Sequence, residues 1–265
     1  MTPGAGLAVD SPLARRNPTV KLVVLFAVSV SLLFLLDPVT PGIIYLLGLV
    51  VVAGGGRIPA RTLVVARLPF LAFAVGVLVV NMLSRPGVIL WQEGALRITV
   101  EGVVVGAALA ARTLVIGILS VGFVLTTDSM ALMTSLNQNA RLGARPSYAL
   151  MAGYRQLQQL PREWAAIRNA QAVRAPLRRD GTPAGGPAAF GRAAFALLVM
   201  AIRRGERMAH SLESRGLGLN PRTVWRPVRI EAADIWFAGT VLGVLAAVIV
   251  TAGLLGVLRG PGALF

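Results

Sequence analysis

Residues 102–127 read GVVVGAALAARTLVIGILSVGFVLTT, a run that carries one charge, Arg112, and lies between Glu101 and Asp128. An α-helix needs about 20 predominantly apolar residues to cross the hydrocarbon core of a bilayer. This run exceeds that length, so it reads as a membrane span rather than as a helix buried in a soluble core. Four more apolar runs surround it in the chain. Val20–Leu36 has Lys21 at its edge and is closed by Asp37-Pro38, and Leu68–Leu83 is bracketed by Arg67 and Arg85. Gly42–Ala53 is shorter and stops at Gly54-Gly55-Gly56, while Ile235–Leu258 is uncharged throughout.

Composition agrees with a membrane reading. Of 265 residues, 55% are hydrophobic and only 14% charged, and the mean hydropathy is +0.72. Soluble domains are about 45–50% apolar and about 25% charged. The absence of cysteine excludes disulfides, thiolate metal sites and thiol catalysis, and one histidine, His210, excludes multi-histidine clusters and histidine relays. The first apolar run follows a polar, proline-containing lead and shows no small-residue cleavage pattern, so it reads as a retained helix. The expected fold is therefore an all-α integral membrane protein with about five transmembrane helices and a cytoplasmic domain of amphipathic helices. The expected boundaries are a four-helix membrane bundle over 1–127, the cytoplasmic domain over 128–230, and a last span with a short tail over 231–265.

Charge sets the expected orientation. Cytoplasmic loops collect Arg and Lys. Arg15, Arg16 and Lys21 precede the first helix, and Arg57, Arg61 and Arg67 lie between the second and third. The first loop has no cation, and the loop after the third span balances Arg85 and Arg97 against Glu93 and Glu101, with Trp91 placed for an interface. An N-terminus inside and four crossings return the chain to the cytoplasm, and a fifth sends the C-terminus out. The chain carries a formal net charge of +15, and residues 141–230 hold 16 arginines against 4 acids, a net of +12. Such a block suits nucleic acid, anionic lipid or an acidic protein groove.

Within 128–230 the apolar residues recur at helical spacing. Ser129–Arg141 is a first short helix, and Pro146–Leu160 a second. Pro161 fits the first turn of a third over Arg162–Ala175, which Pro176 ends. Asp180–Pro187 (DGTPAGGP) is the clearest linker. After it Phe190, Ala194, Leu197, Ala201, Met208 and Leu212 form a stripe, and Gly216 and Gly218 stop the helix as left-handed caps. No catalytic constellation is present. Glu206 and Glu213 share a face but sit among arginines, which predicts local ion pairs, and His210 reads as a surface or packing residue. No G-x-x-x-x-G-K-[ST] loop occurs, so ATP hydrolysis is not expected of this chain. Arg112 is the one charge deep in a span, where an unpaired cation costs a few kcal/mol. It reads either as a substrate ligand or as a structural charge that locks the bundle or snorkels, with Asn81 or carbonyls freed near a glycine as partners.

Several of these pieces, in order, resemble the EcfT/CbiQ family, the transmembrane coupling (T) component of energy-coupling factor transporters. Arg16-Asn17-Pro18-Thr19-Val20-Lys21-Leu22 is similar to the family's Pro-x-x-Lys-Leu motif, and Arg112 followed by Thr126-Thr127-Asp128 resembles its fourth helix running into the cytoplasmic domain. Two short arginine motifs near helix ends carry most of the likeness, Val173-Arg174-Ala175 and Ser214-Arg215-Gly216. The family's usual triplet is Ala-Arg-Gly; both versions here keep the arginine, and the first lacks the glycine. The resemblance implies that Arg174 and Arg215, with Val173, Ala175, Ser214 and Gly216 beside them, contact two ABC ATPase subunits that bind the ATP. It also implies a separate substrate-binding membrane subunit, with a vitamin, a vitamin precursor or a transition-metal ion as cargo. This chain would then be a non-catalytic scaffold in a bacterial plasma membrane, with no cofactor and no nucleic-acid partner. Two alternatives stand beside it: a conventional ABC importer permease that lines its own substrate path, and a membrane anchor whose basic domain binds anionic lipid or nucleic acid.

Overall fold

The computed structural model describes residues 11–35, 37–93, 96–140, 142–174, 186–219 and 227–256, the side chains of Gln92, Glu93 and Leu96 excepted. Helix α1 spans Pro18–Leu32, α2 spans Val39–Val50 and continues as a π-helical turn over Val51–Gly55, and α3 spans Ala60–Ser84. A two-stranded antiparallel hairpin follows, β1 (Ile89–Glu93) and β2 (Leu96–Thr99), and then α4 (Val100–Thr126). Helices α5 (Ser129–Asn139), α6 (Ala144–Arg174), α7 (Pro187–Ser214) and α8 (Ala232–Leu254) complete the chain. It divides into two units, at Ser135/Leu136 and again at Pro227/Val228. One contains α1–α4 and α8, the other α6 and α7.

Local chemistry sets the helix ends. Asn17 caps α1 by accepting a bond from Thr19 N at 2.9 Å, and Pro18 fills the first helical position, where a missing N–H costs nothing. The helix tightens at its far end into i→i−3 bonds, Phe34 N to Ser31 O and Leu35 N to Leu32 O. Asp37 then accepts from Thr40 N at 2.7 Å and starts α2. Helix α2 begins earlier than the apolar run suggests, because Pro41 is tolerated in a first turn. Helices α3, α4 and α8 are long and apolar enough to cross a membrane; α1 and the Val39–Gly55 segment are apolar but shorter.

Helix α4 is the centre of the membrane unit. Val115 joins Val24, Val28 and Leu32 of α1, Ile44 of α2 and Leu245 of α8 in one cluster, while Ile118 and Val121 join Val52, Ile58 and Leu63 in another. Its glycines let neighbouring helices come close, as small residues do between helices in lipid. A Cβ at Gly102 would fall 2.7 Å from Asn81 O, and one at Gly106 would fall 3.0 Å from Leu78 O. Those at Gly117 and Gly122 would fall 2.6 Å from Phe70 Cγ and from a methyl of Val52. The outer faces of α3 and α8 instead expose Phe73, Val80, Ile235, Trp236 and Val250 among other large apolar residues. Exposure on that scale marks a surface made to meet lipid or protein.

Three expectations about elements fail. Helix α3 starts at Ala60 rather than at Leu68, so Arg61 and Arg67, expected before it, lie inside it. The segment between α3 and α4, expected to be a loop, pairs as the hairpin, with Trp91 opposite Ile98 and a register irregularity between Ile89 and Trp91. Pro161 does not open a new helix; it lies inside α6, which runs unbroken over Ala144–Arg174. Packing overrides the proline, because α7 grips α6 on both sides of it. Trp164 packs against Phe190 with ring centroids 5.1 Å apart and the planes tilted by 58°, and Arg204 bonds Gln156, Gln159 and Glu163.

Candidate functional site

Among its described residues, the second unit is built mainly on a pair of antiparallel helices, α6 and α7. Trp164 of α6 meets Phe190 near the start of α7, and the guanidinium of Arg145 lies beside Gly218, just past the end of α7. The C-terminal ends of the two helices therefore lie at opposite ends of the pair. Arg174 is the last residue of α6 and Arg215 is the C-cap of α7. From Arg145 to Arg174 is about 40 Å at 1.5 Å rise per residue, so the two arginines are far enough apart to meet different protein surfaces.

The Arg215 end is fully specified. Leu217 N donates to Leu212 O and Gly216 N to Glu213 O, each at 2.9 Å, which is the paired bonding of a Schellman cap. Gly216 has φ +81°, which a residue with a Cβ adopts only under strain, and the side chain of Leu219 closes over it. Ser214 Oγ donates to Ser211 O. The result holds Arg215 exposed at the negative end of the helix dipole, where a cation is favoured. Arg174 is likewise exposed, next to Val173, which is 88% exposed. Ala175 lies outside the described residues. Among the described residues, neither guanidinium has a hydrogen-bond or ion-pair partner. A planar fork left open in this way can make several charge-assisted bonds to carboxylates or carbonyls of another protein.

Between these ends the pair is held by one polar knot and many small residues. Arg204 is ion-paired with Glu163 and also bonds Gln156 and Gln159 across the helix contact. Ala149, Ala152 and Gly153 of α6 share a groove with Ala201, Gly205 and Ala209 of α7. Glu206, Glu213 and His210 are all exposed. Among the described residues, neither Glu206 nor Glu213 makes the local ion pair expected of it.

In the membrane unit, two cations complete each other's helix. Arg112 donates through Nη2 to Leu33 O at 3.3 Å and Leu35 O at 3.0 Å, the carbonyls just past the end of α1. Asn81 is not its partner, for Asn81 Nδ2 donates to Val77 O within α3. Lys21, near the start of α1, is buried and donates through Nζ to Thr126 O, the last residue of α4. Thus α1 and α4 run antiparallel, and each supplies the cation that satisfies the carbonyl end of the other. The sequence marked Arg112 as an intramembrane charge, but Lys21 only as a flanking one.

Comparison with known proteins adds a lineage to this geometry. The profile of the CbiQ family, described as a cobalt transport protein, matches residues 10–224, from the lead into α1 to beyond the cap at Arg215. The chain is also 27% identical over 252 residues to the energy-coupling factor transporter transmembrane protein EcfT of Heliobacterium modesticaldum, an alignment that covers 92% of this chain and 94% of that protein.

Proposed function

The chain belongs to the CbiQ family, and from that premise we propose that it is the transmembrane coupling component of an energy-coupling factor importer. The observation that supports this reading is a pair of exposed arginines, Arg215 at a capped helix end and Arg174 at the last described residue of α6, which have no partner among the described residues and are set about 40 Å apart by the length of α6. Each end docks one ABC ATPase subunit, which binds and hydrolyses the ATP; this chain does neither. When ATP draws the two subunits together, the ends of α6 and α7 follow. The small-residue groove between the helices lets their crossing adjust, with Arg204 and Glu163 as the retained contact. The membrane unit passes that movement to a separate substrate-binding membrane subunit, which releases a vitamin, a vitamin precursor or a transition-metal ion inside the cell.

The proposed setting is a bacterial plasma membrane with five crossings. The N-terminus and the α6–α7 unit face the cytoplasm, the side on which the Arg-rich segments collect, and the C-terminus faces out. The test is ATP-driven uptake by the complex in proteoliposomes. Arg174→Ala and Arg215→Ala are each expected to abolish uptake, while Arg168→Ala and Arg207→Ala, exposed cations on the same two helices, leave it intact. Equal losses from all four, recovered by lowering the salt, would instead favour a basic domain that binds by total charge.

A further inference from the structure

Asn17 does more than cap a helix. Its Oδ1 accepts from Thr19 N at 2.9 Å and from Ser135 Oγ at 2.8 Å, its Nδ2 donates to Arg229 O at 3.3 Å, and its own N–H donates to Asp234 Oδ1 at 3.0 Å. Ser135 Oγ also lies 2.7 Å from Thr19 Oγ1. The other oxygen of Asp234 accepts from Glu231 N and closes the capping box that starts α8. The cluster is buried: Asn17, Ser135 and Asp234 are 4%, 0% and 3% exposed.

The chain positions of these partners are what matter. Ser135 is the last residue of the membrane unit before the chain passes to the α6–α7 unit, and Arg229 is the second residue after it returns. One side chain therefore fastens both connections between the units to the start of α1. Capping alone does not require asparagine, since serine or aspartate caps equally well. A serine hydroxyl also accepts and donates, but through one atom close to the backbone, whereas the asparagine amide presents an acceptor to Thr19 and Ser135 and a separate donor to the Arg229 carbonyl. The identity of the residue is thus set by the two connections, not by the helix.

We propose that Asn17 is a positioning residue for transport: it holds both connections against the membrane unit, so that movement of α6 and α7 is delivered to α1 and α8 rather than lost in the joints. This rests on the coupling function proposed above. Asn17→Ser preserves the cap of α1 but is too short to serve both connections, and Ser135→Ala removes the outgoing arm alone.

In proteoliposomes, both variants are expected to assemble with the ATPase subunits and hydrolyse ATP at close to the wild-type rate, while uptake per ATP falls about tenfold, as loss of one or two buried bonds allows. Unchanged uptake per ATP would overturn the proposal. So would assembly, hydrolysis and uptake falling together, since that is the behaviour of a structural cap. Amide hydrogen exchange on the detergent-purified chain needs no partner and separates this idea from the coupling assignment. In Asn17→Ser, exchange is expected to quicken about tenfold at Leu132–Asn139 and Glu231–Ile235, and to stay unchanged along α1 beyond its first turn. Equal protection at both connections in the variant and the wild type would reject the latch whatever the chain couples to.

Discussion

A single φ angle fixes the direction of Arg215, the better defined of the two proposed docking arginines. Gly216 sits at φ +81°, and an added Cβ would meet Leu219 at 3.1 Å. Left-handed backbone costs an ordinary residue about 1–2 kcal/mol, so Gly216→Ala is expected to lower stability by about that amount. The same change unwinds the cap and re-aims Arg215. Binding of the ATPase partner should therefore weaken by more than the stability loss explains, which thermal unfolding and affinity measured on one preparation would separate. The sequence shows this end clearly, because a glycine after a helical stripe is a local signal. It also shows that Arg112 stands in a span, yet not what satisfies it. The partners, Leu33 O and Leu35 O, lie nearly eighty residues away and are backbone groups with no signature of their own. For the same reason Lys21 reads as a flanking cation, although its ammonium is buried on Thr126 O.

At the scale of elements, the apolar runs and most helix boundaries follow from spacing and capping, and the misreadings occur where packing overrules a local rule. Pro161 reads as a helix start, yet α6 continues through it because α7 holds the segments on either side. Proline inside a helix costs about 3 kcal/mol through its missing N–H and its clash with the preceding turn. Pro161→Ala should therefore stabilise the α6–α7 unit by up to about 3 kcal/mol, seen as a higher unfolding temperature. No change would mean that the helix has already absorbed the defect. The α3–α4 contact gives a sharper test. A Cβ at Gly117 would sit 2.6 Å from Phe70 Cγ, so Gly117→Ala should cost about 1–3 kcal/mol by overpacking. Phe70→Ala removes the obstacle, and the double variant should cost clearly less than the sum of the two single changes. Additive losses would show that these residues do not share the contact. The hairpin before α4 was hidden because its short strands, Ile89–Glu93 and Leu96–Thr99, fall between two spans and show no clean alternation around their irregular register.

At the scale of the whole molecule, the chain joins a lipid-facing bundle to a cationic helix pair, and hydropathy and charge display both parts before any contact is known. Those two patterns also predict the sidedness. The protein has no cysteine, so a single introduced thiol is the only one available to label. A cysteine at Trp91 in the hairpin should react with an impermeant maleimide in intact cells, and one at Gly191 in α7 only after permeabilisation. The reverse pattern would invert the topology and place the two arginines on the wrong side for any ATPase. What composition cannot display is stoichiometry. It depends on whether Arg174 and Arg215, at opposite ends of an antiparallel pair, each engage a subunit of their own. Native mass spectrometry of the detergent-extracted complex reads this directly. The account predicts two ATPase subunits per wild-type chain, one in Arg174→Ala, one in Arg215→Ala and none in the double variant, with the membrane chain folded throughout. Two subunits retained in the double variant, or no ATPase with the wild type, would contradict it.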